Sequence, residues 1–391
     1  MDSRKVSCYN VKKHSEGGNF MNYQKFPRRH YLDNLRWMTV ILVVIYHTLM
    51  MYSSVIPLGT LGESGVMYPT DSIMYFLYPW FMVLLFIISG ISARISLTNH
   101  PDEDKKFLKK RTVRYLVPST LGLLAFQWIQ GYISMKLSDS FANLGAVPKL
   151  GLYLIMSVSG TGVLWYLQTL WIFSLVLVII RKITKKREKL YPKTENFPFW
   201  GMLLLMIPAF GFAQILNTPV IVSYRFGIYG FAFFAGYYLF AHEEVIEKLS
   251  NYCIPLLIIS VLTGIGYTVF FWGQNFADNP VLNHPFSIAY AWLMCLALLG
   301  FGRKYLNFQN PVTAWFSSKS FGLYVFHYLG MSASAYLLHE YTSLPFMLCG
   351  VLSLISSFGI GWGLYEIISR IPVLRWFVLG IRKERSQEHV Q

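Results

Sequence analysis

The sequence predicts an all-α, polytopic membrane protein: a bundle of about ten transmembrane helices with both termini in the cytoplasm. Three observations carry that expectation. Charged residues are 14% of the 391 and hydrophobic ones 54%, whereas a soluble domain carries about 25% charged residues. With mean hydropathy at +0.42, the apolar excess needs lipid to cover it. Ten apolar runs, near 35–53, 73–93, 115–135, 163–180, 198–216, 222–240, 253–272, 286–302, 321–338 and 344–368, supply the spans. Each is long enough, or nearly so, to cross a ~30 Å hydrocarbon layer at 1.5 Å per residue.

The third observation is where the charge falls. All but three of the 34 Lys and Arg lie in the tail through Arg36, in Arg94–Arg114, Arg181–Lys193, Lys248, Arg303–Lys319 and the C-terminal tail. With ten spans these are alternate connections on one side, and the excess of positive charge marks that side as cytoplasmic. Only Lys136, Lys149 and Arg225 fall opposite. The net charge of +15 is thereby explained as topology, and nucleic acid is not needed.

Residues 1–30 form a polar cytoplasmic tail with no apolar core, so the first span reads as an uncleaved anchor. The membrane-embedded domain covers 31–380 and a second cytoplasmic tail 381–391. The fifth and sixth runs are separated only by Asn217-Thr218-Pro219. The segment 136–162, the longest on the outer side, has room for a short amphipathic helix. Cys8, Cys253, Cys295 and Cys349 show no paired spacing, so neither a disulfide framework nor a metal site is expected. Soluble domains, low-complexity tracts and internal repeats are absent from the pattern.

Ionisable groups are costly at membrane depth and are functional candidates there. In the first span Arg36 and His47 are 11 residues apart, a rotation of about 1100°, so they share a helix face with a rise of about 16 Å between them. Asp33 lies on that face, one turn below Arg36, and can pair with it. Alone, Arg36 reads as a snorkelling anchor and His47 as an interhelical hydrogen-bonder. The shared stripe favours a common cavity instead. In the ninth span His327 has Tyr324 one turn away, either a pair packing two helices or a second group for proton transfer. Arg111 and Arg114 stand three apart at the start of the third span, in Arg111-Thr112-Val113-Arg114, and two guanidiniums at that spacing can hold phosphates. Weaker features are Ser89-Gly90, which permits close helix approach, and Trp165, which also fits an interfacial belt. Glu366 needs a partner, for which an arginine of the basic cluster is expected. A Walker loop, a zinc-protease helix and a nucleophile elbow are missing, and Gly160-Thr161-Gly162 is too small a signal to name a site.

Several of these motifs occur together in a known order. Tyr31-Leu32-Asp33 followed by Arg36 and His47, then Phe86-Ile87-Ile88-Ser89-Gly90, Arg111-Thr112-Val113-Arg114 ending in Pro118, Leu164-Trp165-Tyr166-Leu167 and Tyr324-Val325-Phe326-His327 resemble the acyltransferase-3 family of membrane acyltransferases. The resemblance runs from about residue 30 to 380. Tyr305-Leu306-Asn307-Phe308 and Leu364 to Pro372 resemble its glucan biosynthesis protein C branch. That resemblance implies a bundle moving an acyl group, acetyl or succinyl, from a cytoplasmic acyl-coenzyme A to a hydroxyl of an extracytoplasmic saccharide or glucan. It implies a place in the plasma membrane, catalytic importance for Arg36 and His47, and roles for Arg111, Arg114 and His327. Many members append an outer hydrolase-like domain; this chain ends at Gln391 without one, so the bundle is expected to act unaided, as a homo-oligomer, or with an envelope partner.

The expected chemistry follows. His47 is the general base for the acceptor hydroxyl, a contribution of about 10²–10⁴-fold. Arg36 orients the donor or Asp33, Arg111 and Arg114 hold the coenzyme A phosphates, and His327 assists or fixes the acceptor. A covalent acyl-histidine stays open. Acyl-coenzyme A is a co-substrate, and no permanently bound cofactor is expected. The rival from another class is a proton-coupled transporter of saccharides or lipid-linked envelope precursors, with the histidines as relays. Transporters often pair broken helices in matching halves, which this sequence lacks. A structural or sensory membrane protein would leave the Arg–His stripe without a purpose.

Overall fold

The computed structural model describes residues 26–56, 59–63, 66–184, 190–218 and 223–381. Cys8 and the two polar tails, apart from residues 26–30 and 381, lie outside the described residues. The helices are α1 (His30–Met51), α2 (Asp71–Asn99), α3 (Asp104–Arg111), α4 (Trp128–Leu137), α5 (Lys149–Ser159), α6 (Trp165–Ile183), α7 (Leu190–Lys193), α8 (Phe199–Leu204) and α9 (Met206–Ala213). They continue with α10 (Phe226–Tyr238), α11 (Glu243–Asn251), α12 (Cys253–Phe270), α13 (Asn279–Leu282), α14 (Pro285–Tyr305), α15 (Pro311–Tyr341), α16 (Phe346–Arg370) and α17 (Pro372–Leu379). Among the described residues, an isolated bridge between Asn217 and Arg225 is the only β pairing.

The protein is a multi-pass, all-helical bundle. Among the described residues, six helical segments are long and apolar enough to cross a membrane: α1, α2, Gly162–Ile183, α12, α14 and α16. Each of the ten apolar runs overlaps a helical segment among the described residues, but four of them lack a continuous apolar helix of spanning length. The run 115–135 is broken around Pro118, which has no N–H for the helix ladder. Wide turns at Thr112–Leu116 and Leu123–Gln127 flank that break, closed in the first by Val117 N donating to the Thr112 carbonyl at 3.0 Å. The run 198–216 divides into α8 and α9, while α10 has 13 residues. The run 321–338 lies inside α15, whose 31 residues are long enough to span but carry polar groups throughout. The expected helix in 136–162 is α5.

α2 is the hub, with 83% of its most apolar window buried against α1, α10 and α14. Its crossing with α10 needs glycine on both sides: a Cβ on Gly90 would stand 1.9 Å from the Phe233 carbonyl oxygen, and one on Gly236 2.2 Å from that of Ile87. Ser89-Gly90 thus does permit the close approach that the sequence offers. α12 and α16 instead turn Ile258, Leu262, Val269, Val351 and Ile355 outward, the apolar faces that lipid covers.

Local signals fix the two helices that carry histidine. Asn310 caps α15 by accepting from Thr313 N at 2.8 Å while Thr313 Oγ1 accepts from Asn310 N at 3.0 Å, and Pro311 takes the first turn. Such a reciprocal cap satisfies two otherwise orphaned donors. At the start of α1, Asn34 Nδ2 donates to the carbonyls of Leu306 and Phe308 at 2.7 and 2.8 Å. The buried Arg29 bonds the Ala241 carbonyl and pairs with Glu243, both at 2.7 Å. These anchors hold the start of α1 against the start of α11 and the α14–α15 connection.

Candidate active site

α1 presents Arg36 and His47 to the bundle interior, as helical periodicity requires. Arg36 Nη1 pairs with Asp33 Oδ1 at 3.1 Å, one turn away, and Nη2 donates to Ser92 Oγ on α2 at 2.9 Å. The Asp33–Arg36 pair expected from spacing is therefore present, and α2 supplies a second partner that sequence alone did not mark.

Arg36 and His47 do not share one cavity. They face two, stacked along α1. The first, of about 340 Å³, is lined by Arg36 and Val40 of α1, by Leu85, Ser89 and Ser92 of α2, and by Arg111 and Arg114. The second, of about 430 Å³, is lined by Val43, Tyr46 and His47 of α1, by Tyr78, Phe81 and Met82 of α2, and by Trp165. Tyr324 borders both. Its ring stands between them with the hydroxyl donating to the Val163 carbonyl, and Tyr166 meets it edge-on at 5.7 Å. The expected single cavity is thus divided at the level of Tyr324, because aromatic side chains from α6 and α15 fill the space that backbone spacing leaves.

The arginine cavity gathers three cations. Arg111 Nη1 donates to Ser174 Oγ at 3.1 Å and its guanidinium lies over Phe107 at 4.6 Å. Arg114 stacks on Phe321 at 3.7 Å and donates to the Leu379 carbonyl at 3.4 Å. The wide turn beginning at Thr112 directs the second arginine toward α15 while the first reaches α6; such turns recur at functional sites. Neither arginine has a carboxylate partner among the described residues, and none lines the cavity. Three guanidiniums with only Asp33 opposite form a natural seat for an anion. Ser89 Oγ and Tyr166 Oη add a hydrogen-bonded pair at 3.1 Å on its wall.

The second cavity holds the histidines. His327, fully buried on α15, has Nδ1 at 2.9 Å from the Tyr324 carbonyl and 3.1 Å from that of Leu323. Carbonyls only accept, so Nδ1 of His327 carries the proton and Nε2 keeps a lone pair. That Nε2 is 3.2 Å from Nδ1 of His47, which also lies 2.9 Å from the Val43 carbonyl. Nδ1 of His47 therefore donates, and its Nε2 is left with the free lone pair. This tautomer assignment rests on the hydrogen-bond network. Among the described residues His47 Nε2 has no hydrogen-bond partner, and the ring lines the cavity.

Trp165 stacks on Tyr229 at 5.5 Å and borders the histidine cavity, so its place is in the site wall. Two further expectations are corrected. The Tyr324 hydroxyl bonds the Val163 carbonyl and not the His327 ring, which meets Tyr324 through the backbone carbonyl alone and turns Nε2 to His47. Glu366 takes Lys319 of α15 as its partner, with Arg370 at 3.9 Å, and no arginine of the 94–114 cluster reaches it. Sequence reasoning also missed Tyr46, Tyr78, Tyr229, Tyr328, Asn275 and Asp278 of the histidine cavity. With 26 tyrosines in the chain, no single one stood out.

Residues 29–365 match the acyltransferase-3 family, described as an acyltransferase domain. The chain belongs to this family. It is a membrane O-acyltransferase, and every residue of the two cavities described above lies within the matched segment. Curated relatives agree over nearly the whole length: Glucans biosynthesis protein C of Escherichia coli (strain K12) is 23% identical over 384 residues, 92% of this chain and 96% of the relative. The protein of the same name from Salmonella schwarzengrund (strain CVM19633) is 22% identical over 380 residues, 90% of this chain and 95% of the relative. No solved structure matches the chain. With an acyltransferase established, a transporter is no longer needed to account for two histidines at membrane depth.

Proposed function

We propose that this acyltransferase moves an acetyl or succinyl group from acyl-coenzyme A, bound at the arginine cavity, to a saccharide hydroxyl bound at the histidine cavity, with His47 as general base. The observation that carries the reading is the His327–His47 pair, which leaves the lone pair of His47 Nε2 facing a cavity of about 430 Å³.

In the reaction His47 Nε2 removes the proton of the acceptor hydroxyl as its oxygen attacks the thioester carbonyl. The O–C bond forms, the C–S bond breaks, and the proton passes from His47 to the departing thiolate. His327 and the Val43 carbonyl receive the Nδ1–H throughout and stabilise the imidazolium, which is how an orienting partner serves a base. Arg111 and Arg114 neutralise phosphates of the donor, whose pantetheine arm occupies the arginine cavity beside Arg36. The arm then advances past Tyr324, so that ring has to turn from Val163 before donor and acceptor meet.

This orientation follows the positive-inside pattern, with ten crossings in a plasma membrane, both termini cytoplasmic, the arginine cavity facing the donor pool and the histidine cavity facing outward. The relatives' printed name supports a glucan as the acceptor. Purified protein incubated with labelled acetyl- or succinyl-coenzyme A and a glucose oligomer tests the reading. Label on the oligomer with the wild type and none with His47→Gln supports it, and equal transfer by both removes His47 from the chemistry.

A further inference from the structure

Besides its aromatic wall, the histidine cavity carries a carboxylate that the mechanism does not use. Asp278, in the segment between α12 and α13, lines the cavity together with Asn275 and Ala277. This segment is held rigidly. Phe276 is fully buried and packs against Tyr75 and Tyr78 at 5.0 and 5.1 Å, while Tyr75 Oη donates to the Gln274 carbonyl at 2.5 Å. Asn275 Oδ1 accepts from Ala277 N at 2.9 Å, and Asn275 Nδ2 donates to Asp278 Oδ1 at 3.1 Å. One carboxylate oxygen is thus fixed by the amide, and Oδ2 has no partner among the described residues.

The remaining wall suits the same kind of ligand. Tyr46, Tyr78 and Tyr328 line the cavity with hydroxyls that have no hydrogen-bond partner among the described residues. Their rings and Trp165 offer flat apolar faces beside those polar groups. A ligand meeting this wall has C–H faces to lay on rings and several hydroxyls to donate to a carboxylate and exchange with phenols. Charge narrows it further. No Lys or Arg lines this cavity. A buried cation beside Tyr229, Arg225, has Nη2 bonded to the Leu282 carbonyl and Asn283 Oδ1 at 3.2 and 2.9 Å.

We infer that Asp278, set by Asn275, is the specificity-determining residue for the acceptor: its carboxylate binds hydroxyls next to the one acylated and turns away anionic sugars, so the acceptor is a neutral polyhydroxyl saccharide. The inference rests on the reading that the histidine cavity is the acceptor side. Within that reading it separates neutral glycans from uronic-acid or phosphorylated ones, which the same aromatic wall would otherwise accept.

The test measures binding rather than turnover. Full-length purified protein is titrated calorimetrically with a neutral glucose oligomer and with a uronic-acid oligomer of equal length. The wild type is expected to bind the neutral oligomer about tenfold more tightly, the scale of one charge-assisted hydrogen bond and one repulsion. Asp278→Asn, nearly isosteric and exposed to solvent, is expected to weaken the neutral oligomer and narrow the gap, and Asp278→Lys to reverse the preference. An unchanged ratio in both variants, or a wild type that prefers the uronic acid, overturns the inference. A wild type with the expected binding preference that transfers no acyl group would instead overturn the catalytic reading and leave the role of Asp278 standing.

Discussion

The arginine cavity and the histidine cavity are neighbours along one helix, yet they are built for opposite ligands. The first collects Arg36, Arg111 and Arg114 with serine hydroxyls and lacks a carboxylate on its wall. The second collects His47, tyrosines and Asp278 and lacks a cation. A charge-rich cavity binds by Coulomb attraction, which retains a polyanion but promotes no bond change by itself. A neutral imidazole with a free lone pair binds weakly and moves protons well. In the proposed mechanism this contrast divides the labour: one cavity holds the donor, the other performs the chemistry, and Tyr324 marks the boundary.

Substitutions can break that division or sharpen it. The largest effect is expected at His47. His47→Gln should lower kcat by about 10²–10⁴-fold and leave donor binding, measured with a non-transferable acyl-coenzyme A analogue, unchanged. A loss of donor affinity instead would merge the two cavities into one functional unit. Next is the joint replacement Arg111→Gln with Arg114→Gln. Each removes a charge-assisted contact, so donor KM should rise roughly tenfold or more while acceptor KM holds. The smallest effect is expected at His327, which in the proposed mechanism acts through His47. His327→Phe should cost about tenfold in kcat, because the Val43 carbonyl at 2.9 Å still holds the His47 Nδ1–H. Its positioning role shows in a pH–rate profile displaced from that of the wild type, which a purely structural change would leave in place.

The parts of this architecture that were legible in the sequence are those set by local periodicity. The Arg36–His47 stripe follows from 3.6 residues per turn, and the Asp33–Arg36 pair from i,i+3 spacing. The family resemblance likewise rests on short motifs. The illegible parts are tertiary. That His327 would meet His47 across 280 positions at 3.2 Å depends on how α15 packs on α1, which neither helix encodes alone. Lys319 takes Glu366 for the same reason. The span count suffered differently: hydropathy windows register apolar residues but not breaks, so Pro118 and the division between α8 and α9 split runs that composition reads as continuous. The wall of the histidine cavity was hidden by abundance, since aromatic residues are 17% of the chain and most of them pack the core.

The claim on which the division of labour depends is that donor and acceptor enter from opposite sides. Proteoliposomes with a glucose oligomer sealed inside and labelled acyl-coenzyme A added outside test it directly. Label should accumulate on the enclosed oligomer, and His47→Gln should abolish it. Transfer that occurs only when both substrates share one compartment would contradict the two-cavity mechanism.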